Sequence, residues 1–214
     1  MSAARQSGLE QALSADQIAR LRVFEAAVRR WSTIKNLVSH QALDELWQRH
    51  ILDSVQVQRA VPEASIWADL GSGGGFPGIV TAILLADRPQ AIVHLIESDN
   101  RKCAFLRSVS RETGARTMVH HGRIETIVAS LDQIQAVSAR ALAPLDQLVS
   151  WATPLLLRGA IGVFPKGRTV SDELTRLPRE DRLTIELRPS LTQSDGALVI
   201  VRCNPPLEQI SEKL

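Results

Sequence analysis

Asp69-Leu70-Gly71-Ser72-Gly73-Gly74-Gly75-Phe76-Pro77-Gly78 is the stretch on which the fold of this chain turns. An apolar run, Ile66 to Leu70, enters it, and an apolar helical pattern, Ile79 to Ala86, leaves it. The order is strand, glycine loop, helix. The five glycines among residues 71–78 let the backbone take positive φ and approach a ligand without Cβ clashes. Pro77 suits the first helical turn, where a missing N–H does no harm. The helix that follows points free N–H groups at whatever lies on the loop, so the stretch reads as a nucleotide-cofactor site.

Downstream the rhythm of short apolar strands and helices repeats. Residues 91–96 form a second strand with Glu97 just past its end, and Asn100 caps a helix running to Gly114. A third strand covers about 116–120, and Gly122-Arg123-Ile124-Glu125 opens a short helix. A fourth covers about 135–139, ending at Arg140. A helix from Pro144 to Leu157 is stopped by Gly159. A fifth strand, 160–164, is followed by Lys166-Gly167-Arg168. Two β runs, 182–189 and 197–203, close the pattern with little helix between them. The expectation is an α/β fold with a mostly parallel seven-stranded sheet, right-handed crossovers and helices on both faces. Ligands bind such sheets beyond the carboxyl ends of the strands, which gathers Asp69, Gly71, Glu97, Arg140 and Lys166 along one crevice.

Upstream, Ser14 and Gln17 have capping-box spacing, and Ile18, Leu21, Phe24, Val28 and Trp31 recur at helical period. Trp31 to Ser39 breaks that pattern. A second helix carries Leu43, Trp47, Ile51 and Val55 on one face. His50 and Asp53 share a side of it, either as a catalytic pair or, the preferred reading, as a structural hydrogen bond tying this segment to the core. Residues 1–62 are thus expected to form a helical arm packed on a Rossmann-like domain, 63–214. Met1 to Glu10 is small and polar and reads as a frayed start. The four tryptophans are expected to pack rather than to stack on bases.

Composition narrows the class. At 44% hydrophobic and 22% charged this is an ordinary globular chain, and no apolar run reaches membrane-spanning length. Cys103 and Cys203 are isolated, so neither a metal site nor a disulfide framework is expected, which fits a reducing cytoplasm. The net charge is +2, and residues 1–60 hold eight Lys/Arg against six Asp/Glu, so the excess lies in the arm. That is a small footprint for a polyanion partner.

Two cofactors compete for the loop. Gly73-x-Gly75-x-x-Gly78 with an acidic residue, Glu97, about twenty residues on satisfies the dinucleotide fingerprint, and a nicotinamide-dependent oxidoreductase is the alternative function. Asp69, at the end of the first strand, opposes a pyrophosphate but suits a cationic ligand such as S-adenosylmethionine. No recognisable second substrate domain is expected in the residues after the loop either. Glu97 accepts from ribose hydroxyls in both cases. A non-catalytic cofactor- or RNA-binding protein on the same fold is a further alternative.

The longer pattern runs Trp31, Lys35-Asn36-Leu37, Arg49-His50-Ile51-Leu52-Asp53-Ser54, the glycine loop, Glu97-Ser98, Arg101-Lys102, Phe105-Leu106, Arg140-Ala141 and Lys166-Gly167. In order and spacing it resembles the bacterial small-subunit ribosomal RNA guanine-N7 methyltransferases, the RsmG/GidB family, from about residue 14 to about 203. The resemblance implies a class I S-adenosylmethionine-dependent methyltransferase fold. It implies a cofactor held by Gly71, Phe76, Ile124, Glu125 and Arg140, with Glu97 on the ribose; some relatives carry Asp there. It also implies a guanine of 16S ribosomal RNA, near the decoding site, as target. Gly73 and Gly75 of the loop join the cofactor set. Guanine N7 has a free lone pair and no proton to lose, so no catalytic base is nominated. Phosphate contacts are expected from Arg101, Lys102, Arg123, Lys166 and Arg168, with Lys35 and Arg49 of the arm. The partner is then 16S ribosomal RNA or the small subunit, with no DNA, no membrane and a monomeric enzyme.

Overall fold

The computed structural model describes residues 2–35, 43–177 and 182–204, with side chains described from residue 7 and, in the second helix, as far as residue 32. Seven strands form one sheet in the order β3-β2-β1-β4-β5-β7-β6. They are β1 (Ile66–Leu70), β2 (Ile92–Glu97), β3 (Thr117–His121), β4 (Ala136–Ser138), β5 (Ile161–Lys166), β6 (Leu183–Pro189) and β7 (Ala197–Cys203). β1 to β5 are mutually parallel; β7 runs antiparallel to β5 and to β6. The order reverses between β1 and β4, the switch point where such sheets open a crevice.

Side-chain alternation along the strands feeds two apolar layers. Trp67, Val93, Leu95, Val163 and Ile200 face one layer. There they meet α1 (Ser2–Gln11), α2 (Ala15–Lys35), α3 (Asp53–Ala60), α4 (Gly78–Leu84) and α5 (Asn100–Thr113). Ala68, Leu70, Val137, Phe164 and Val199 face the other, under α6 (Ile124–Ser130), α7 (Leu145–Leu156) and α8 (Val170–Thr175). Among the described residues no helix is long and apolar enough to cross a membrane.

Local differences from the sequence reading have physical causes. The first residues are helical: α1 is anchored by buried Leu9, with buried Leu13 just beyond it, and Arg59 donates to the carbonyl of Ala12. The Ser14–Gln17 box is present, each backbone N–H bonded to the other's side chain at 3.0 and 3.1 Å. α2 continues through Trp31 to Lys35. The chain enters α3 through a π-helical turn, Trp47–Leu52. Helix α4 begins at Gly78, with Pro77 just outside it after a cis Phe76–Pro77 bond. Asp99, rather than Asn100, caps α5, its side chain accepting from the N–H groups of Arg101 and Lys102. Asn36 and Leu37 lie outside the described residues.

Candidate functional site

A cleft of about 540 Å³ opens over the carboxyl ends of β1, β2 and β4. The loop after β1 forms its floor, with Gly71 at φ 64° and Gly73 at φ 50°, left-handed values that only glycine takes without strain. Of the expected cofactor residues, Gly71, Gly73, Phe76, Glu97, Ile124, Glu125 and Arg140 all line it. Glu97 is buried, and both its oxygens are engaged. Oε2 accepts from the N–H of Gly73 at 2.9 Å and Oε1 from that of Asp99 at 2.8 Å. The carboxylate thus braces the glycine loop against the β2 terminus while keeping lone pairs for a ligand's hydroxyls.

Gly75 does not reach the cleft. At φ 90° it lies under the loop, where a Cβ would stand 2.8 Å from Ile79 Cγ1 and 3.1 Å from Phe24 Cζ. Its glycine is dictated by the packing of α2 and α4, not by a ligand.

Asp69 also departs from expectation. Its carboxylate does not line the cleft; Oδ1 accepts from the Ser138 hydroxyl at 2.8 Å and Oδ2 from the N–H of Gly78 at 3.2 Å. It joins β1, β4 and the start of α4 from beneath, so electrostatic attraction for a cationic ligand is not its work. Burial pushes its carboxyl up to about 7, against the pull of those two donors. An acid whose pKa rises on folding holds its proton more tightly in the folded chain. Its contribution to stability is therefore full below 3.8 and lost as pH rises through about 7. Between pH 5 and pH 8 the protein is expected to lose about 2–3 kcal/mol through this group. Urea unfolding of Asp69→Asn, which cannot titrate, should show a flatter pH dependence; an unchanged slope assigns the loss elsewhere.

Arg140, just past β4, is the hub of the cleft's far wall. It donates to His50 Nδ1 and to the carbonyl of Arg49, both at 2.9 Å, and its Nε lies 3.1 Å from Asp53 Oδ2. His50 and Asp53 therefore do not bond each other; the arginine stands between them. Because a guanidinium only donates, His50 carries its proton on Nε2. Burial first, then the charges of Arg140 and Arg49, lower its pKa to about 4, so it is neutral at pH 7. His50 also packs beside Phe76, ring centroids 5.3 Å apart.

Of the lining residues outside the expected set, His50 and Trp151 carry the ring nitrogens. His50 was weighed only with Asp53. Trp151 of α7 was assigned to packing, yet it lines the cleft and donates from Nε1 to Glu125 Oε1 at 3.0 Å, fixing that carboxylate. Its helical spacing alone carried no signal, because the partner lies on α6. Of the other tryptophans, Trp67 is fully buried and Trp31 packs edge-on against Phe105. Trp47 lies under the Arg22 guanidinium.

The basic candidates divide. Lys102 and Arg123 line the cleft mouth. Arg101, Arg49 and Arg168 are exposed, each beside a carboxylate, Asp99, Glu45 and Asp195 respectively. Lys166 is a correction: it ends β5 largely buried, 2.6 Å from Glu173, and donates to the carbonyl of Ala143. It ties β5 to the loop after β4 and to α8, and a phosphate has little access to it. The side chain of Lys35 lies outside the described residues. No group of three or more His, Cys, Asp or Glu placed to hold a metal occurs among the described residues.

Comparison with known proteins agrees with this geometry. The fold is shared with a crystal structure of a Geobacter sulfurreducens methyltransferase, at TM-score 0.61 and 14% identity over 92% of this chain and 94% of that one. It is also shared with the Podospora anserina methyltransferase PaMTH1, at TM-score 0.60 and 12% identity over 92% and 93%. In sequence the chain is 46% identical over 192 residues to the ribosomal RNA small subunit methyltransferase G of Methylorubrum extorquens, covering 90% of this chain and 91% of that protein. It is 50% identical over 192 residues to the protein of that name from Parvibaculum lavamentivorans, covering 89% and 84%. A family model described as rRNA small subunit methyltransferase G matches residues 17–194, and the chain belongs to that family, GidB.

Proposed function

We propose that this protein transfers a methyl group from S-adenosylmethionine to N7 of one guanine in 16S ribosomal RNA, and that it works by alignment. The observation that carries the reading is the position of Glu97, whose buried carboxylate lines the cleft beside the positive-φ glycines. A cleft of about 540 Å³ falls in the ordinary range for a ligand of this size. Its contents fit the donor: a carboxylate for ribose hydroxyls, the apolar surfaces of Phe76, Ile124 and Trp151, and a close-approach loop. The nicotinamide alternative is not favoured, because the chain belongs to a methyltransferase family.

When bound, S-adenosylmethionine supplies a sulfonium methyl: the N7 lone pair forms the new C–N bond as the C–S electron pair returns to sulfur. No proton leaves N7, so the chain needs no base there. His50 is consistent with that, since its Nδ1 lone pair is occupied by Arg140 and its Nε2 bears the proton. The work of the residues is to hold donor and acceptor in line and to exclude water. Lys102 and Arg123, at the cleft mouth, are the basic groups best placed for RNA phosphates. Residues 1–62 serve as an arm whose His50 and Asp53 complete the wall around Arg140.

Two measurements test this. Tritiated-methyl transfer to small subunits lacking the modification, with mapping of the labelled base, should place the label on a guanine N7; label elsewhere overturns the reading. Glu97→Ala removes the acceptor of two loop N–H groups and of the ribose. S-adenosylhomocysteine affinity by calorimetry is expected to fall roughly 30- to 150-fold, about 2–3 kcal/mol. Retention within threefold removes Glu97 from the site.

A further inference from the structure

A second cavity, about 220 Å³, lies beside the cleft and shares Arg140 and Ala141 with it. Its remaining walls come from α3 (Asp53, Gln56), the end of β5 with α8 (Lys166 and Glu173, paired with each other at 2.6 Å), and the turn between β6 and β7 with the start of β7 (Ser190, Gln193). We propose that this cavity receives the target guanine, and that Asp53 and Arg140 read its edge. The proposal rests on the methyltransferase reading above and adds the acceptor's place and the residues that select it.

Position comes first. The cofactor cleft occupies the β1–β2 side of the switch point, and this cavity the β4–β5 side. Only the Arg140–Ala141 segment separates them, so a base seated in the smaller cavity lies next to whatever the larger one holds. Its size admits one nucleobase and not a stacked pair. Ala141 has φ 50°, a left-handed backbone that a side-chain-bearing residue holds at a cost. Such strain collects where a backbone is shaped for a ligand.

Chemistry comes second. Asp53 is almost fully buried, and its two oxygens differ. Oδ1 accepts from the Thr192 hydroxyl at 2.6 Å and from Gln56 Nε2 at 2.7 Å. Oδ2 has no hydrogen-bond donor. Arg140 Nε is near enough to pair with it by charge, but its N–H is not aimed at that oxygen. A buried carboxylate oxygen without a donor is costly, and a ligand donor removes the cost. A base donor uses a lone pair of Oδ2 beside the Arg140 charge contact, so the guanidinium keeps its two aligned bonds to His50 and Arg49. Arg140 bonds His50 and Arg49 through one N–H on each terminal nitrogen, leaving a second on each.

The order of groups then matches guanine. Along its edge guanine presents the N2 and N1 donors, then O6, then N7. Along the wall stand Asp53, an acceptor, then Arg140, a donor, then the opening to the cofactor cleft. With N1–H and N2–H on Asp53 and O6 on Arg140, N7 projects toward the methyl donor. Adenine reverses donor and acceptor at both positions, and the pyrimidines have no N7.

The test uses the full-length protein and small-subunit RNA carrying either guanine or inosine at the target. Inosine keeps N7, O6 and N1–H but lacks the N2 amine. Wild type is expected to methylate the guanine RNA roughly 10- to 100-fold faster in kcat/KM. Asp53→Asn should slow guanine and bring the two substrates within about threefold of each other, 0.7 kcal/mol. Gln193→Trp fills the cavity from the turn and covers the case in which Asp53→Asn does not fold. It should slow methylation about 100-fold or more, with S-adenosylhomocysteine affinity, read by calorimetry, within threefold of wild type. Equal wild-type rates on guanine and inosine, or an unimpaired Gln193→Trp, overturn the pocket while leaving the methyltransferase intact. Failure of wild type to methylate the guanine RNA at all overturns the underlying reading instead.

Discussion

Replacing Arg140 with methionine is expected to cost the fold about 3–5 kcal/mol and to slow methyl transfer about a hundredfold or more. Methionine keeps much of the length and apolar stem, so the loss isolates the guanidinium. That group has 15% side-chain exposure and Asp53 has 3%, so removing the cation strands a buried carboxylate. Water screens such a charge poorly, and the stranded partner dominates the loss. Lysine should not rescue it. One ammonium cannot span His50 Nδ1, the Arg49 carbonyl and Asp53, which three separate nitrogens of Arg140 meet in a fixed fork. A second readout separates this account from general unfolding. His50 has its pKa lowered to about 4 by burial first and by Arg140 next. In folded Arg140→Met it should climb but stay below 6.5, because burial remains. An NMR titration of the His50 ring that stays near 4 shows that Arg140 does not act on it.

The residues around Arg140 also show what the sequence could and could not carry. The succession of strands along the chain, the glycine loop and the position of Glu97 were legible, because each rests on local spacing: strand period, glycine φ, one acidic residue at a strand end; the order of the strands across the sheet was not. Asp69 and Lys166 were placed at strand ends correctly, yet neither serves a ligand as expected. A strand end offers two directions, and Asp69 shares its face with Trp67, beneath α4, while Lys166 turns to Glu173. The side-chain parity of β1 was available in the sequence as a clue that Asp69 points away from the crevice. The Arg140 hub was not. It joins residues about ninety positions apart, and the helical spacing of His50 and Asp53 pointed to a bond between them that a third residue replaces. Trp151 and Glu125 are hidden for the same reason, one on α7 and one on α6. The polar composition of α1 hid a helix that leucines at 9 and 13 are enough to dock.

Gly78→Ala is expected to destabilise the protein by about 3 kcal/mol and to abolish cofactor binding, although it adds a better helix former. Two effects of opposite sign meet at this position. Gly78 opens α4 with no positive φ, so alanine is permitted by the backbone and gains up to about 1 kcal/mol in helix propensity. Against that, the new Cβ would stand 2.4 Å from Leu95 Cδ2 and 2.5 Å from Asp69 Oδ2. Neither neighbour is a loose surface group: Leu95 has no exposed area and Asp69 has 1%. Asp69 is held by Ser138 on one side and by the N–H of Gly78 on the other. The methyl therefore pushes on the carboxylate that fixes β4 and α4 beneath the loop, and the strain goes to the loop carrying Gly71 and Gly73. Gly73→Ala is the matched control. Its Cβ meets only a backbone oxygen at 3.7 Å, so its penalty is the φ of 50° and not a clash. It should lower S-adenosylhomocysteine affinity with a melting temperature nearer wild type. Thermal unfolding and calorimetry on the pair decide the matter. If Gly78→Ala melts at or above wild type, helix propensity has won, and Asp69 is not the rigid prop that the packing makes it.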